Sequence, residues 1–127
     1  MKNGKKAVFL AFAAALILEM FVFDFVVAEG HSMEPSIRSG SVLIVSRLRY
    51  GIKLPFMRKY IAMWAQPKEG EVVIFYSPSG ELVVKRCTRQ AKDGKFFAQG
   101  DNELYSYDSR SYGSVPVGNI IGKVLGY

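Results

Sequence analysis

Hydrophobic positions fall into two regimes along the chain. Residues Ala7 to Leu18 are uninterrupted apolar side chains, Glu19 breaks the run, and Met20 to Phe23 resume it before Asp24 ends it. A helix of about 17 such residues is roughly 26 Å long, close to the ~30 Å hydrocarbon core of a bilayer. Lys2, Lys5 and Lys6 precede the run, and Asp24 and Glu29 follow it. The asymmetry predicts a basic cytoplasmic start over residues 1–6, a transmembrane helix over 7–25, and residues 26–127 on the far side of the membrane. Glu19, near the exit, would reach the interface or stay protonated. Two alternatives stand beside this reading. One is a secretory signal peptide cut after Val26-Val27-Ala28; the other is a buried core helix, which an apolar surface all round disfavours.

From Ser41 onward the pattern changes to short β-branched and aromatic runs: 41–45, 71–76, 81–86, 95–98 and 119–125. Ser39-Gly40, Lys68-Glu69-Gly70, Ser77-Pro78-Ser79-Gly80 and Lys92-Asp93-Gly94 separate them with turn-forming residues. The expected fold is mainly β, a small antiparallel sheet or partly closed barrel following one N-terminal helix. Ser77 to Gly80 reads as a hairpin connection that makes the Ile74 and Val84 regions antiparallel neighbours and puts Lys85 on a strand. The stretch from Tyr50 to Pro67, with Pro55, Phe56, Met57 and Trp64, has no clean periodicity. It reads as an irregular apolar excursion able to lie against lipid. No internal repeat is present.

Composition narrows the chemistry. With 127 residues, 50% hydrophobic and 22% charged, the chain is one modest folded domain and not a disordered segment. The formal net charge is +6, yet the basic residues are scattered, so no nucleic-acid partner is expected. The only cysteine, Cys87, and the only histidine, His31, supply neither an intramolecular disulfide nor a zinc site. No metal and no cofactor is expected. Cys87 beside Lys85 lacks a histidine partner and reads as a packing residue.

Three strings could carry a reaction. In Gly30-His31-Ser32-Met33-Glu34-Pro35, Ser32 sits on irregular backbone whose amides could serve an oxyanion, although a lone loop serine is ordinarily a local hydrogen-bonding residue. His31 is adjacent in sequence, and neighbours in extended chain point to opposite faces, so it is badly placed to deprotonate Ser32. A lysine base must be neutral, which requires an apolar setting; Lys85, after Leu82-Val83-Val84, is the best placed, its plain alternative being an exposed strand lysine. The third string runs from Gly100 to Pro116, polar and rich in turns. There Asp108 is expected to pair with Arg110, and Asn102 to satisfy backbone groups.

Taken in order, these strings resemble the type I signal peptidases. Gly30-x-Ser32-Met33-x-Pro35 followed by Gly40-Ser-Val-Leu-Ile-Val resembles the family's nucleophile box. Pro67-x-x-Gly-Glu-Val-Val-Ile-Phe resembles the following strand, and Val84-Lys85-Arg86 the strand bearing the base. Gly100-Asp-Asn, Ser106-x-Asp108-Ser109-Arg110 and Gly113-x-Val115-Pro116 resemble its last box. The resemblance implies a membrane-anchored serine-lysine endopeptidase that acts on signal peptides of exported precursors and touches the lipid bilayer. By position it implies Ser32 as nucleophile, Lys85 as general base and Ser106 as the serine orienting that lysine. It also implies the Ser32 N–H as an oxyanion donor, and Asp108 with Arg110 as a structural ion pair. Gly30 occupies the position where some members add a hydroxyl donor to the oxyanion hole. Val26, Ala28, Met33 and Val83 are expected to wall the substrate pockets. The chain departs from the family at Cys87 to Gly94, where a hydrophobic-Gly-x-Pro-Gly-Asp turn is usual, and it lacks the large second domain of some members. A dedicated maturation peptidase of a secretion or conjugation system, and a catalytically inactive peptide-binding module of the same fold, are the alternatives.

Overall fold

The computed structural model describes residues 2–53 and 59–127. Pro55, Phe56 and Met57 of the predicted excursion lie outside the described residues, as does the side chain of Glu19. Helix α1 covers Lys2–Val22 and is followed at once by strand β1, Phe23–Val27. Residues 23–25, expected to be helical, are therefore strand. Phe23, Asp24, Phe25, Val26 and Val27 alternate in exposure and pair in full register with β2, Val42–Ser46. That ladder and the β-branched side chains outweigh continuation of the helix. Among the described residues no helix is long and apolar enough to cross a membrane.

The remaining strands are β3 (Gly51–Ile52), β4 (Ala62–Met63), β5 (Val72–Tyr76), β6 (Leu82–Lys92), β7 (Lys95–Gln99), β8 (Val115–Pro116) and β9 (Ile120–Gly126). Seven of them form one antiparallel sheet in the order β1-β2-β9-β5-β6-β7-β8, and β3 pairs with β4 separately. Ile74 faces Val84 across the β5–β6 hairpin, as the turn at Ser77–Gly80 predicts. Gly80, at φ 86°, closes that turn by donating to the Ser77 carbonyl.

Strand β5 is central and covered on both sides, which explains its continuous rather than alternating apolar run. Val73 and Phe75 join Tyr50, Cys87, Phe96, Ala98, Val115 and Ile120 in one core. Val72 and Ile74 join Met33, Ile37, Leu43, Val45 and Val124 in another. Register shifts in the β2–β9, β5–β9 and β6–β7 ladders bend the sheet into a half-barrel. The curvature is strong enough that β1 and the first half of β6, four places apart in strand order, line one cleft.

Two regions differ from the pattern-based reading. Residues 87–92 continue β6, and the chain reverses at Asp93-Gly94, both at positive φ (55° and 74°), as a tight hairpin turn requires. The excursion contains the β3–β4 pair, and its Tyr60, Met63 and Ala65 pack on the first core. The Tyr60 hydroxyl donates to the Ile120 carbonyl at 2.9 Å, tying this hairpin to β9.

Candidate active site

The loop after β1 bends at Gly30, which takes the left-handed φ of 80° that glycine adopts without strain. Buried Met33 and Ile37 anchor the loop in the second core, and the Ile37 N–H donates to the Met33 carbonyl at 2.9 Å. Ser32 is left half-buried at the cleft, whereas exposed His31 is engaged by Glu34. The cleft is lined by residues 26–30 from the β1 end, by Ser32, Met33 and Ile37, and by residues 82–85 of β6. Ser32 and Lys85 thus open onto the same cleft. Val26, Ala28, Met33 and Val83 are in its wall.

Lys85 faces Val73 across the β5–β6 ladder and is 5% exposed. Burial pushes its ammonium below the ordinary lysine range; Asp108 pulls the other way, and Arg110 adds to the depression. Among the described residues Lys85 forms no salt bridge. A desolvated, unpaired amine is disposed to be neutral, the state in which it accepts a proton.

The polar loop after β7 gathers around one carboxylate. Asp108 is fully buried and accepts from the Gly100 N–H at 2.8 Å, the Ser106 hydroxyl at 2.5 Å, the Arg110 N–H at 3.0 Å and the Arg110 guanidinium at 2.7 and 3.0 Å. It also caps the short helix α2, Ser109–Tyr112. Burial alone would raise the Asp108 pKa, but these donors hold it well below the usual carboxylate range. Because the Ser106 O–H donates to Asp108, its oxygen retains lone pairs for another donor. The neighbouring Ser109 hydroxyl accepts from the Ala98 N–H at 3.0 Å and fixes the loop to β7.

Gly100 is where the loops meet. A Cβ there would lie 2.2 Å from the Ser106 Oγ and 2.6 Å from the Ser32 carbonyl oxygen, so only glycine permits this approach. Asn102 donates through its backbone to the Ser32 carbonyl at 2.8 Å, and through its side chain to the His31 carbonyl at 3.0 Å. Pattern reading expected a backbone-satisfying Asn102 but not that its acceptors would flank Ser32. Also missed was the bidentate pair of Arg86 with Asp101, at 2.9 and 3.0 Å, which ties β6 next to Lys85 to the same loop. The adjacency of Arg86 to Lys85 and of Asp101 to Asn102 was the available signal. Among the described residues no cluster of His, Cys, Asp or Glu could hold a metal ion.

A family model described as "Signal peptidase, peptidase S26" matches residues 1–91 and 87–126. The chain is 30% identical to "Signal peptidase I" of Bacillus caldolyticus over 91% of its own length and 85% of that protein. It is 34% identical to "Mitochondrial inner membrane protease subunit 1" of Xenopus tropicalis, over 82% of its own length and 68% of that protein. "Signal peptidase I" of Pseudomonas aeruginosa is 25% identical over 95% of this chain, which spans only 41% of that relative. The fold and the comparisons together define a serine endopeptidase. The chain belongs to the signal peptidase family, peptidase S26.

Proposed function

We propose that this protein is a membrane-anchored signal peptidase that removes N-terminal signal peptides from exported precursors by a Ser32–Lys85 dyad. The observation that carries the reading is a half-buried serine and a 5% exposed lysine opening onto one apolar-walled cleft. Neutral Lys85 takes the Ser32 proton as Oγ attacks the scissile carbonyl, and the resulting ammonium gives it to the leaving amine. Water, deprotonated by the same amine, then hydrolyses the acyl-enzyme and frees Ser32. The Ser32 N–H faces the developing oxyanion, Gly30 offering no hydroxyl there. Ser106 accepts from the Lys85 ammonium while its own O–H donates to the Asp108 carboxylate, and the Asp108–Arg110 pair holds that loop in shape. No cofactor enters the cycle.

Substrate binding has support in the strand pairing. β1 is an end strand of the sheet, and β6 begins to pair with β7 only at Arg86, so among the described residues none pairs with 82–85 on the side that borders the cleft. An extended peptide entering between them gains main-chain hydrogen bonds, and its alternate side chains meet Val26, Ala28, Met33 and Val83. Shallow apolar walls of this kind favour small residues before the cut.

The anchoring reading, its helical part now ending at Val22, assigns residues 7–22 to the membrane-embedded segment and β1 with the rest of the chain to an extracytoplasmic peptidase domain, with the lysine-bearing start in the cytoplasm. It is supported by the lysine asymmetry and by an exposed apolar face directly after α1. Phe23, Phe25 and Val27 of β1 and Val42 and Ile44 of β2 are all exposed, and Phe25–Ile44 and Val27–Val42 are register pairs. An apolar face continuous with an apolar helix fits a lipid surface.

The test is cleavage of a fluorogenic peptide spanning an Ala-x-Ala junction by detergent-purified protein. Wild type is expected to cut after the second alanine, and folded Ser32→Ala and Lys85→Met to lose activity by about 1,000-fold or more. Retained cleavage in either variant would sink the dyad.

A further inference from the structure

Asn102 reaches both peptide groups that flank the Cα of Ser32. Its side-chain amide donates to the His31 carbonyl at 3.0 Å, and its backbone N–H donates to the Ser32 carbonyl at 2.8 Å. The His31–Ser32 peptide is trans, so its carbonyl and the Ser32 N–H lie in one plane and point in opposite directions. A donor fixed on the carbonyl therefore fixes the direction of the N–H. It also polarises the peptide group and strengthens that N–H as a donor. The second bond restrains the following peptide, so the backbone of Ser32 is held from both sides and its Cβ direction is set.

The loop that supplies Asn102 is anchored independently of its side chain. Asp101 is pinned by Arg86, and the Gly100 N–H by Asp108. Trimming the Asn102 amide leaves those ties in place.

We propose that Asn102 is a positioning residue for acyl transfer, its carboxamide aiming and polarising the Ser32 N–H toward the oxyanion. The inference rests on the reading of Ser32 as nucleophile. It matters more here because Gly30 brings no hydroxyl to share the oxyanion charge. An oxyanion donor acts only as the carbonyl oxygen gains charge, so the loss falls on kcat and spares KM.

The experiment compares Asn102→Ala and Asn102→Asp with wild type in cleavage of the fluorogenic peptide. It also compares them in binding a peptide aldehyde ending in alanine, whose hemiacetal oxygen occupies the oxyanion position. Both variants are expected to keep KM within about twofold, to lose kcat by about tenfold or more, and to bind the aldehyde weaker by a similar factor. In the uncharged Asn102→Ala the pH midpoint of the acid limb, set by Lys85, stays where it is. Asn102→Asp is isosteric and retains the backbone bond to Ser32, so its result stands even if the alanine variant folds poorly. A kcat within twofold of wild type in folded Asn102→Asp overturns the proposal, and so does a loss that leaves aldehyde affinity unchanged or, in Asn102→Ala, moves the acid limb. Ser32→Ala separates the two readings: if it still cleaves, the nucleophile assignment fails, and if it is dead while the Asn102 variants are active, only the positioning role fails.

Discussion

The Ser106 hydroxyl donates to the Asp108 carboxylate at 2.5 Å, and the same carboxylate lowers the cost of protonating Lys85. Asp108 therefore bears on the proposed dyad twice, by fixing the orientation of Ser106 and by its field at Lys85. Replacing it with asparagine removes the negative charge and leaves Arg110 with only exposed Glu103 as its counter-charge, and both changes favour neutral Lys85. The acid limb of the residual activity of Asp108→Asn is expected to move to lower pH, measured as kcat against pH. A limb that moves upward would contradict this electrostatic account. Stability falls as well, by about 1–3 kcal/mol, since the donors gathered on the buried carboxylate lose an acceptor.

Lys85 is charged at a cost to the fold. Its folded pKa is depressed, so the unfolded chain binds the extra proton over the window between the folded value and the ordinary lysine value near 10.4. Within that window stability rises with pH; below it the full penalty is present. Lys85→Met is thus expected to be inactive yet more stable than wild type at neutral pH, each tenfold bias toward the neutral amine being worth about 1.4 kcal/mol. Thermal unfolding across pH reads the difference, which narrows as pH rises toward 10. Equal stability at all pH values would mean that the lysine is not desolvated.

At Gly100 the prediction is steric. A methyl group would press on backbone at the Ser32 carbonyl as well as on Ser106, so one loop must shift. Gly100→Ala is expected to cost about 1–3 kcal/mol and to lower kcat by about 100-fold, because a displacement near 1 Å is enough to misalign a nucleophile and its base. Peptide cleavage within threefold of wild type would show that the loops have slack.

Cys87 lies two residues beyond Lys85 but is fully buried, and burial pushes its thiol up to about 11. It should resist alkylation in the native protein and react on unfolding. Cys87→Ala is expected to keep peptide cleavage within about twofold while losing about 1–2 kcal/mol of stability for the cavity it leaves. Rapid native alkylation with loss of activity would overturn this packing role.

The exposed β2 side chains test the lipid reading. Ile44→Glu places a charge in the apolar face opposite Phe25, away from the cleft. Short-peptide cleavage in detergent is expected to change less than twofold, whereas stimulation by phospholipid vesicles falls at least about threefold. Unchanged stimulation would remove lipid contact from the account of this face.

The β5–β6 hairpin was legible because a turn of Ser-Pro-Ser-Gly between two β-branched runs leaves little freedom in register. The end of α1 was not. Phe23 and Phe25 are as apolar as the helix before them, and pairing with the distant β2 is what makes residues 23–25 strand. Strands of two residues, such as β3, β4 and β8, carry no periodicity to read. At the site, residue types and order pointed to Ser32, Lys85 and Ser106. The contacts that bring loops together depend on Gly100 and Asn102, whose importance lies in what they approach across 68 or more residues rather than in any local pattern. Burial of Lys85 likewise comes from how strand β6 sits against β5, which a run of valines hints at but does not establish.

The dyad is tested most directly by rapid quenching of the wild-type reaction with an Ala-x-Ala ester or peptide, followed by mass mapping of the protein. The expected result is an acyl group on Ser32 that accumulates in wild type, is absent in Ser32→Ala, and forms far more slowly in Lys85→Met. Turnover without any acyl-enzyme, or an acyl group on another residue, would contradict the account.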